Sequence, residues 1–206
     1  MSTTKCKTCR RVGQKLFLKE EKCASPKCPM VRKPYAPGKR AKKMKMLSDY
    51  GAQLKEKQKL KFLYGLREKP FANYVKKALA KGGSSIDLQI ISSLEMRLDN
   101  IVFRLGLAKS RSGARQIVGH GHILVNNRKV TIPSYQAKKG DKISIRSGSI
   151  SKKVFAETDI YLKKYSPPIW LKLDKSKKEG EIATNLTKKD IEPGVNLNAI
   201  IGFYSR

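Results

Sequence analysis

The stretch from Ser93 to Gly148 constrains this chain most, because its hydrophobic pattern passes from helical to strand period within some fifty residues. Leu94, Leu98, Ile101, Val102 and Leu105 recur at helical spacing and form one apolar stripe, with Ile86 and Ile90 extending it backwards. A helix is therefore expected from about Ser85 to Gly106, which can adopt the left-handed conformation that follows a last turn. A second helix is expected from about Arg111 to His120, capped by Ser110 or Ser112 and stopped by Gly121. Ala114, Ile117 and Val118 form its inward face, which turns Arg111, Arg115 and His120 elsewhere. Gly113 inside this helix costs about 1 kcal/mol relative to alanine. His122 to Val125 then reads as a strand, and Arg128 to Val130 as its return. Asn126-Asn127 between them makes a tight turn, since asparagine tolerates positive φ. Lys139-Gly140-Asp141 turns the chain again into Lys142 to Arg146, which alternates at strand period. A helix pair with a small antiparallel sheet places the region in the α+β class.

Composition decides what kind of partner such a module meets. The 206 residues carry 46 lysines and arginines against 16 acids, a formal net charge of +30. Charge of that size opposes compaction and attracts polyanions, and a phosphate backbone releases counterions for each charge neutralised. A membrane surface is the other anionic candidate. No 18-residue apolar run, lipid-insertion helix, lipidation signal or secretory leader core accompanies the charge, so a cytosolic protein is expected.

All four cysteines lie near the start, as Cys6 and Cys9 and then Cys23 and Cys28. Two close pairs bracketing a loop suit a tetrahedral thiolate site, each pair holding one edge. Lys5, Lys7, Arg10, Lys22 and Lys27 would favour thiolates there. Zinc is expected, with an iron–sulfur cluster as the alternative, because both accept four thiolates. Two structural disulfides disagree with a reducing compartment. A metal held by four cysteines would serve folding, since no position remains open for a water.

Pro34 to Pro37 is extended, and the run Lys39-Arg40-Ala41-Lys42-Lys43-Met44-Lys45 has nothing that could pack a core. Between a metal knuckle and a helix it reads as a phosphate-tracking segment. Ser48 caps a helix from Asp49 to about Tyr64, whose apolar face is interrupted by Lys57 and Gln58, so it is expected to pack weakly on protein and strongly on an anion. Pro70 suits the first position of the next helix, Phe71, Tyr74, Val75, Ala78 and Leu79 form its core face, and Gly82-Gly83 ends it. Val154 to Tyr165 has a mixed pattern. Pro167 to Leu173 is extended, with Trp170 as a packing anchor. Asp174 to Glu181 reads as a polar linker, and the apolar tail Val195 to Tyr204 as a segment docked on the N-terminal helices.

The runs R-L-D-N-I-V-F-R-L-G-L-A and S-R-S-G-A-R-Q-I-V-G-H-G-H-I-L-V-N-N-R-K-V, then P-S-Y and K-K-G-D-K-I-S-I, resemble the RNA-binding module named after small-subunit ribosomal protein four. The likeness extends to the four-cysteine knuckle, Y-A-P-G-K, S-D-Y-G-A-Q-L-K-E-K-Q-K-L-K-F-L-Y-G-L and the terminal F-Y-S-R, so essentially the whole chain looks like the bacterial-type family of that protein. The resemblance implies a module inserted into a discontinuous helical domain. Three parts are expected: 1–46, the knuckle and basic segment; 47–84 with 176–206, the helical domain closed by the tail; and 85–175, the inserted domain, with its core at about 94–155. It also implies a structural constituent of the small ribosomal subunit that binds 16S-type ribosomal RNA directly in the 5′ domain and nucleates assembly. Such a protein lies beside neighbouring small-subunit proteins near the channel through which messenger RNA enters, influences decoding accuracy, and is cytoplasmic and ribosome-bound. Asn127 departs from the glycine usual in the family, Gly113 replaces a larger helix former, and many members lack the cysteines.

The expected RNA contacts are Arg10, Arg11, Lys39, Arg40, Lys42, Lys43, Lys45, Lys55, Lys57 and Lys59 in the N-terminal part. In the module they are Arg111, Arg115, His120, His122, Asn126, Arg128 and Lys129. Arg97 and Arg104 are expected to brace the module internally, and Asp99 to be a helix-surface ion-pair partner. An RNA-modifying enzyme or a regulatory RNA-binding protein could carry the same module. The enzyme would need a catalytic domain for which too little chain remains, and no nucleophile–base pair or phosphate-cradling glycine loop is present. Neither catalysis nor a small-molecule substrate is therefore expected.

Overall fold

Local signals place the helices of the N-terminal part. Ser48 opens α4 (Asp49–Leu63) by accepting the Gly51 amide on its hydroxyl at 3.2 Å. Before it lie three short helices, α1 (Thr3–Val12), α2 (Glu21–Ala24) and α3 (Pro29–Arg32). The next helix, α5 (Glu68–Lys81), starts two residues ahead of Pro70, which sits in the first turn rather than at its first position. It ends at Gly82, whose φ is +64°. The computed structural model describes residues 3–19, 21–38, 47–83, 85–187 and 194–205. The chain forms two compact units, one of residues 1–87 with 192–206 and the other of residues 88–191.

In the first unit Phe71, Val75, Leu60 and Leu63 are buried, and α10 (Leu197–Tyr204) packs against both α4 and α5. Fully burying a side chain of this size stabilises by roughly 1.5–3 kcal/mol. Asn196 caps α10 by accepting the Ala199 amide at 3.1 Å. The apolar tail thus docks on the N-terminal helices. Its docking corrects one expectation, because α4 packs substantially on protein. Lys57, in the middle of its apolar face, is accommodated by a carboxylate and two aromatic rings.

The second unit is a helix pair on a small antiparallel sheet. The expected single helix from Ser85 to Gly106 is two, α6 (Ile86–Glu95) and α7 (Leu98–Arg104). Arg97 between them is extended, at φ −69° and ψ 136°, and pairs with Gln136 in an isolated bridge. The break is fixed from outside. Leu98 N–H donates to Tyr135 O at 2.9 Å and Asp99 N–H to Pro133 O at 3.1 Å, satisfying two amides that a helix start leaves without partners. Helix α8 (Arg111–Gly119) is capped by Ser110, whose hydroxyl accepts the Gly113 amide at 3.2 Å.

Strands β1 (Ile123–Val125), β2 (Arg128–Lys129) and β3 (Lys142–Ile145) follow, then helix α9 (Thr158–Lys164) and strands β4 (Leu171–Asp174) and β5 (Glu179–Ile182). The sheet order is β2-β1-β3-β5-β4, and every pairing is antiparallel. The stretch Asp174 to Glu181 is therefore no linker. It is the β4–β5 hairpin, in which Lys178 turns the chain at φ +52° and Ile143 pairs with Gly180. The second unit accordingly extends past the expected boundary at 175. Leu98, Ile101, Val102, Leu105, Ile117, Val118, Ile123, Ile143, Trp170 and Ile182 form its core, with Trp170 as the anticipated packing anchor. No described helix is long and apolar enough to cross a membrane.

Candidate nucleic-acid interface

Helices α7 and α8 pack together and bring a set of arginines onto two buried acids. Glu95, 1% exposed, accepts Arg104 Nη2 on Oε1 at 2.7 Å and Arg104 Nε on Oε2 at 3.0 Å. Asn100 Nδ2 donates to the same Oε2 at 2.6 Å, while its Oδ1 accepts Arg111 Nε at 2.9 Å. Asp99, 3% exposed, takes Arg97 through both oxygens at 2.9 and 3.0 Å, and Arg115 Nη2 and Nε on Oδ2 at 2.7 and 2.9 Å. Arg97 and Arg104 brace the module as expected. Asp99 is an ion-pair partner but not a surface one, because its carboxylate turns inward to meet two guanidinium groups. Arg111 and Arg115, expected as simple phosphate contacts, are also held internally: Arg111 also stacks over Phe103 at 4.7 Å, and the Arg115 side chain is 35% exposed.

Beyond α8 the expected polar face divides. His120 is exposed at the C-cap, whereas His122 is buried with Nδ1 3.0 Å from Ser149 Oγ and its ring edge-on to Phe155. Burial lowers the His122 pKa, and Lys152, His120, Arg146 and Lys129 lower it further, so a charged RNA-facing imidazole is disfavoured. His122 is thus a core histidine, drawn in because it immediately precedes β1 and lies against Ser149 and Phe155 of the residue 147–155 turns. Asn126 is exposed, but its side chain is committed to the turn. Its Nδ2 donates to Asp141 Oδ1 at 2.8 Å, and its Oδ1 accepts the Lys142 amide at 2.9 Å. Arg128 and Lys129 are exposed on β2. The Lys129 side chain lies across Gly121 just past the end of α8, where a Cβ would meet its Cε.

In the helical unit the basic residues of α4 split in the same way. Lys55 is exposed. Lys57, 6% exposed, pairs with Glu68 at 2.7 Å and lies 4.3 Å over the Phe203 ring, so it is no phosphate contact. Helical period turns it inward, where a carboxylate and aromatic rings make burial of its charge tolerable. Lys59 bonds Glu56 at 2.6 Å and Gly194 O at 2.7 Å, and is spent on fixing the segment before α10. Arg11 is exposed, while Arg10 donates from Nε to Tyr35 O at 2.8 Å and stacks on that ring. Lys39, Arg40, Lys42, Lys43 and Lys45 lie outside the described residues.

The four cysteines line one cavity of about 10 Å³ together with Lys5, Lys15, Leu18, Lys19, Pro29 and Met30. Burial raises the Cys9 thiol, opposed by the Leu16 amide and reinforced by Cys23, Cys6 and Cys28. Burial raises Cys23 likewise, opposed by the Lys19 amide, which donates to its Sγ at 3.2 Å. Those amide-to-sulfur bonds, with Lys15 at Cys23, only partly offset the burial that raises both thiols, while a four-sulfur donor set fits zinc or an iron–sulfur cluster in kind. As the side chains stand, no group of three or more histidine, cysteine, aspartate or glutamate residues among the described ones is arranged to hold a metal ion.

Glu95 and Asn100 are partners of the arginines that the sequence reading misses. The available signal is the i, i+4 pair of acids at 95 and 99, each one position past a leucine of the apolar stripe in a strongly basic chain, since acids bordering a core face need cationic partners.

Comparison with known proteins agrees with this architecture. The family description "Ribosomal protein S4/S9 N-terminal domain" matches residues 1–95, and "S4 domain" matches residues 96–143. The small ribosomal subunit protein uS4 of Halothermothrix orenii is 45% identical over 201 residues, covering 98% of this chain and 96% of the relative. That of Fervidobacterium nodosum is 43% identical over 202 residues, with 98% and 96% covered. The protein uS4A of Clostridium novyi is 44% identical over 204 residues, again with 98% and 96% covered. With identity of this level sustained over almost the full length of both chains, the chain belongs to the uS4 family of small ribosomal subunit proteins.

Proposed function

We propose that this chain is a structural constituent of the small ribosomal subunit that binds its ribosomal RNA, with no catalytic role of its own. The full-length family match carries the reading. A charge of +30 and a module with arginines held on α8 and exposed basic residues on β2 support it physically. The finer reading is a primary binder of the 5′ domain of 16S-type RNA. It nucleates assembly, contributes to translational accuracy beside neighbouring proteins near the channel through which messenger RNA enters, and resides on cytoplasmic ribosomes. Arg11, Lys55, Arg111, Arg115, His120, Arg128 and Lys129 are the described residues best placed for RNA. The basic run containing Lys39, Arg40, Lys42, Lys43 and Lys45 adds charge suited to tracking a phosphate backbone. The division of the chain into a discontinuous helical unit and a central unit supports the reading of the module as an insertion. In sedimentation of cell extracts through a gradient, the chain is expected with small subunits and their precursors. Sedimentation as unbound protein, or with RNA outside the ribosome, would contradict the assignment.

Cys6, Cys9, Cys23 and Cys28 form a zinc knuckle in this reading, with the iron–sulfur cluster as alternative. The shared cavity and the sulfur-directed amides support it. The metal would contribute folding of the N-terminal helices. Elemental analysis of the purified full chain is expected to give one zinc per chain, lost on replacing Cys9 and Cys23 by serine. Iron with sulfide would select the alternative, and absence of both metals from protein purified without chelator would contradict the site.

A further inference from the structure

The acids and the amide beneath α8 do more than neutralise charge. Adjacent residues of α7 each take one arginine of α8: Asp99 takes Arg115, and Asn100 takes Arg111. Arg111 and Arg115 are four apart on one helix face, where like charges repel, yet each guanidinium is fixed by a buried partner. The network holds four arginines against two carboxylates, Glu95 and Asp99, leaving two positive charges of excess. Asp99 is itself fixed by the two-point contact with buried Arg97. Asn100 is fixed by Glu95 through both its backbone and side-chain oxygens at 3.0 and 2.6 Å.

We infer that Asp99 is a positioning residue for RNA binding: by holding Arg115 Nε and Nη2 it sets the plane of the guanidinium, so that this part-exposed side chain meets an RNA phosphate in fixed geometry. The inference rests on the RNA-binding reading above. Arginine differs from lysine in this respect, since its planar fork matches a phosphate oxygen pair whereas an ammonium supplies charge alone. An orienting carboxylate also lowers the local positive charge, so it weakens long-range attraction while fixing the contact.

That opposition separates positioning from charge. Affinity of the full chain for small-subunit 5′-domain RNA is measured across a salt series for the unmodified protein, Arg115→Lys, Asp99→Asn and the double variant. Circular dichroism reports folding. Arg115→Lys is expected to bind about tenfold more weakly with an unchanged salt slope, the loss of one oriented, charge-assisted contact. Folded Asp99→Asn is expected to bind more weakly although its net charge is higher, and to add little once Arg115 is lysine. Arg115→Lys binding as the unmodified protein does would overturn the inference, and so would tighter binding by Asp99→Asn or fully additive losses. If Asp99→Asn does not fold, Asp99→Glu, which keeps the charge and displaces the carboxylate, is measured in its place, and binding equal to that of the unmodified protein would overturn the inference. Failure of the unmodified chain to prefer this RNA would instead overturn the functional reading.

Discussion

Tyr204 donates its hydroxyl to Glu68 Oε1 at 2.8 Å, joining the last helix to α5 across 136 residues of sequence. The same carboxylate receives Lys57 at 2.7 Å and Lys61 at 2.9 Å. One acid therefore gathers α4, α5 and α10. Burial alone would raise the Glu68 carboxyl, but the bonds from Lys57, Lys61 and Tyr204 outweigh it and bring it down to about 2. Burial and the bond to Glu68 raise the Tyr204 hydroxyl in turn, so it remains the donor.

Docking of the tail should for this reason weaken in acid. The folded chain keeps Glu68 ionised below its ordinary value of 4.5, so its contribution is complete above that pH and is lost as pH falls from 4.5 towards 2. The Glu68 side chain is 47% exposed, and solvent screening holds the effect to about 1 kcal/mol, or about 2–4 °C of melting temperature. Glu68→Gln should be less stable at pH 6 and approach the unmodified protein at pH 2.5. Parallel melting curves across that range would contradict the role of this carboxylate.

Gly180 lies beneath Leu105, where a Cβ would come 2.3 Å from Leu105 Cδ2. Gly180→Ala should destabilise the central unit by about 1–3 kcal/mol through overpacking. Adding Leu105→Ala should cost less than the two single changes summed, because the smaller side chain vacates the space. Additive losses in chemical denaturation would show that the two positions do not share a packing site.

Asn126 and Asn127 both occupy the left-handed region, at φ +49° and +63°. Asn127→Gly should be neutral or slightly stabilising. Asn127→Val should destabilise by about 1–2 kcal/mol, since a β-branched residue resists positive φ. Equal stability of the glycine and valine variants in urea would contradict the turn.

The parts of the fold legible in the sequence are those fixed locally. The caps at Ser48 and Ser110, the stops at Gly82, Gly106 and Gly121, and the double-asparagine turn each depend on one side chain and its immediate backbone. The break at Arg97 depends on carbonyls of residues 133–135, far along the chain, so the apolar stripe reads as unbroken. The β4–β5 hairpin is hidden for a related reason. The inward positions of β5 are Gly180 and Ile182, and the strand lacks one apolar residue because Leu105 occupies its space. Among the candidate contacts, exposed Arg11, Lys55, His120, Arg128 and Lys129 follow from charge and period. Lys57 and His122 do not, since their burial is set by Glu68, Phe203, Ser149 and Phe155, all distant in sequence or brought close only by the fold.

RNA selectivity tests the central claim most directly. Purified full chain, with its metal content determined, is titrated with small-subunit 5′-domain RNA and with an unrelated structured RNA of equal length across a salt series. A preference for the 5′-domain RNA that persists as salt rises is expected of a ribosomal constituent that recognises RNA shape as well as charge. Equal affinities that collapse together with salt would contradict it.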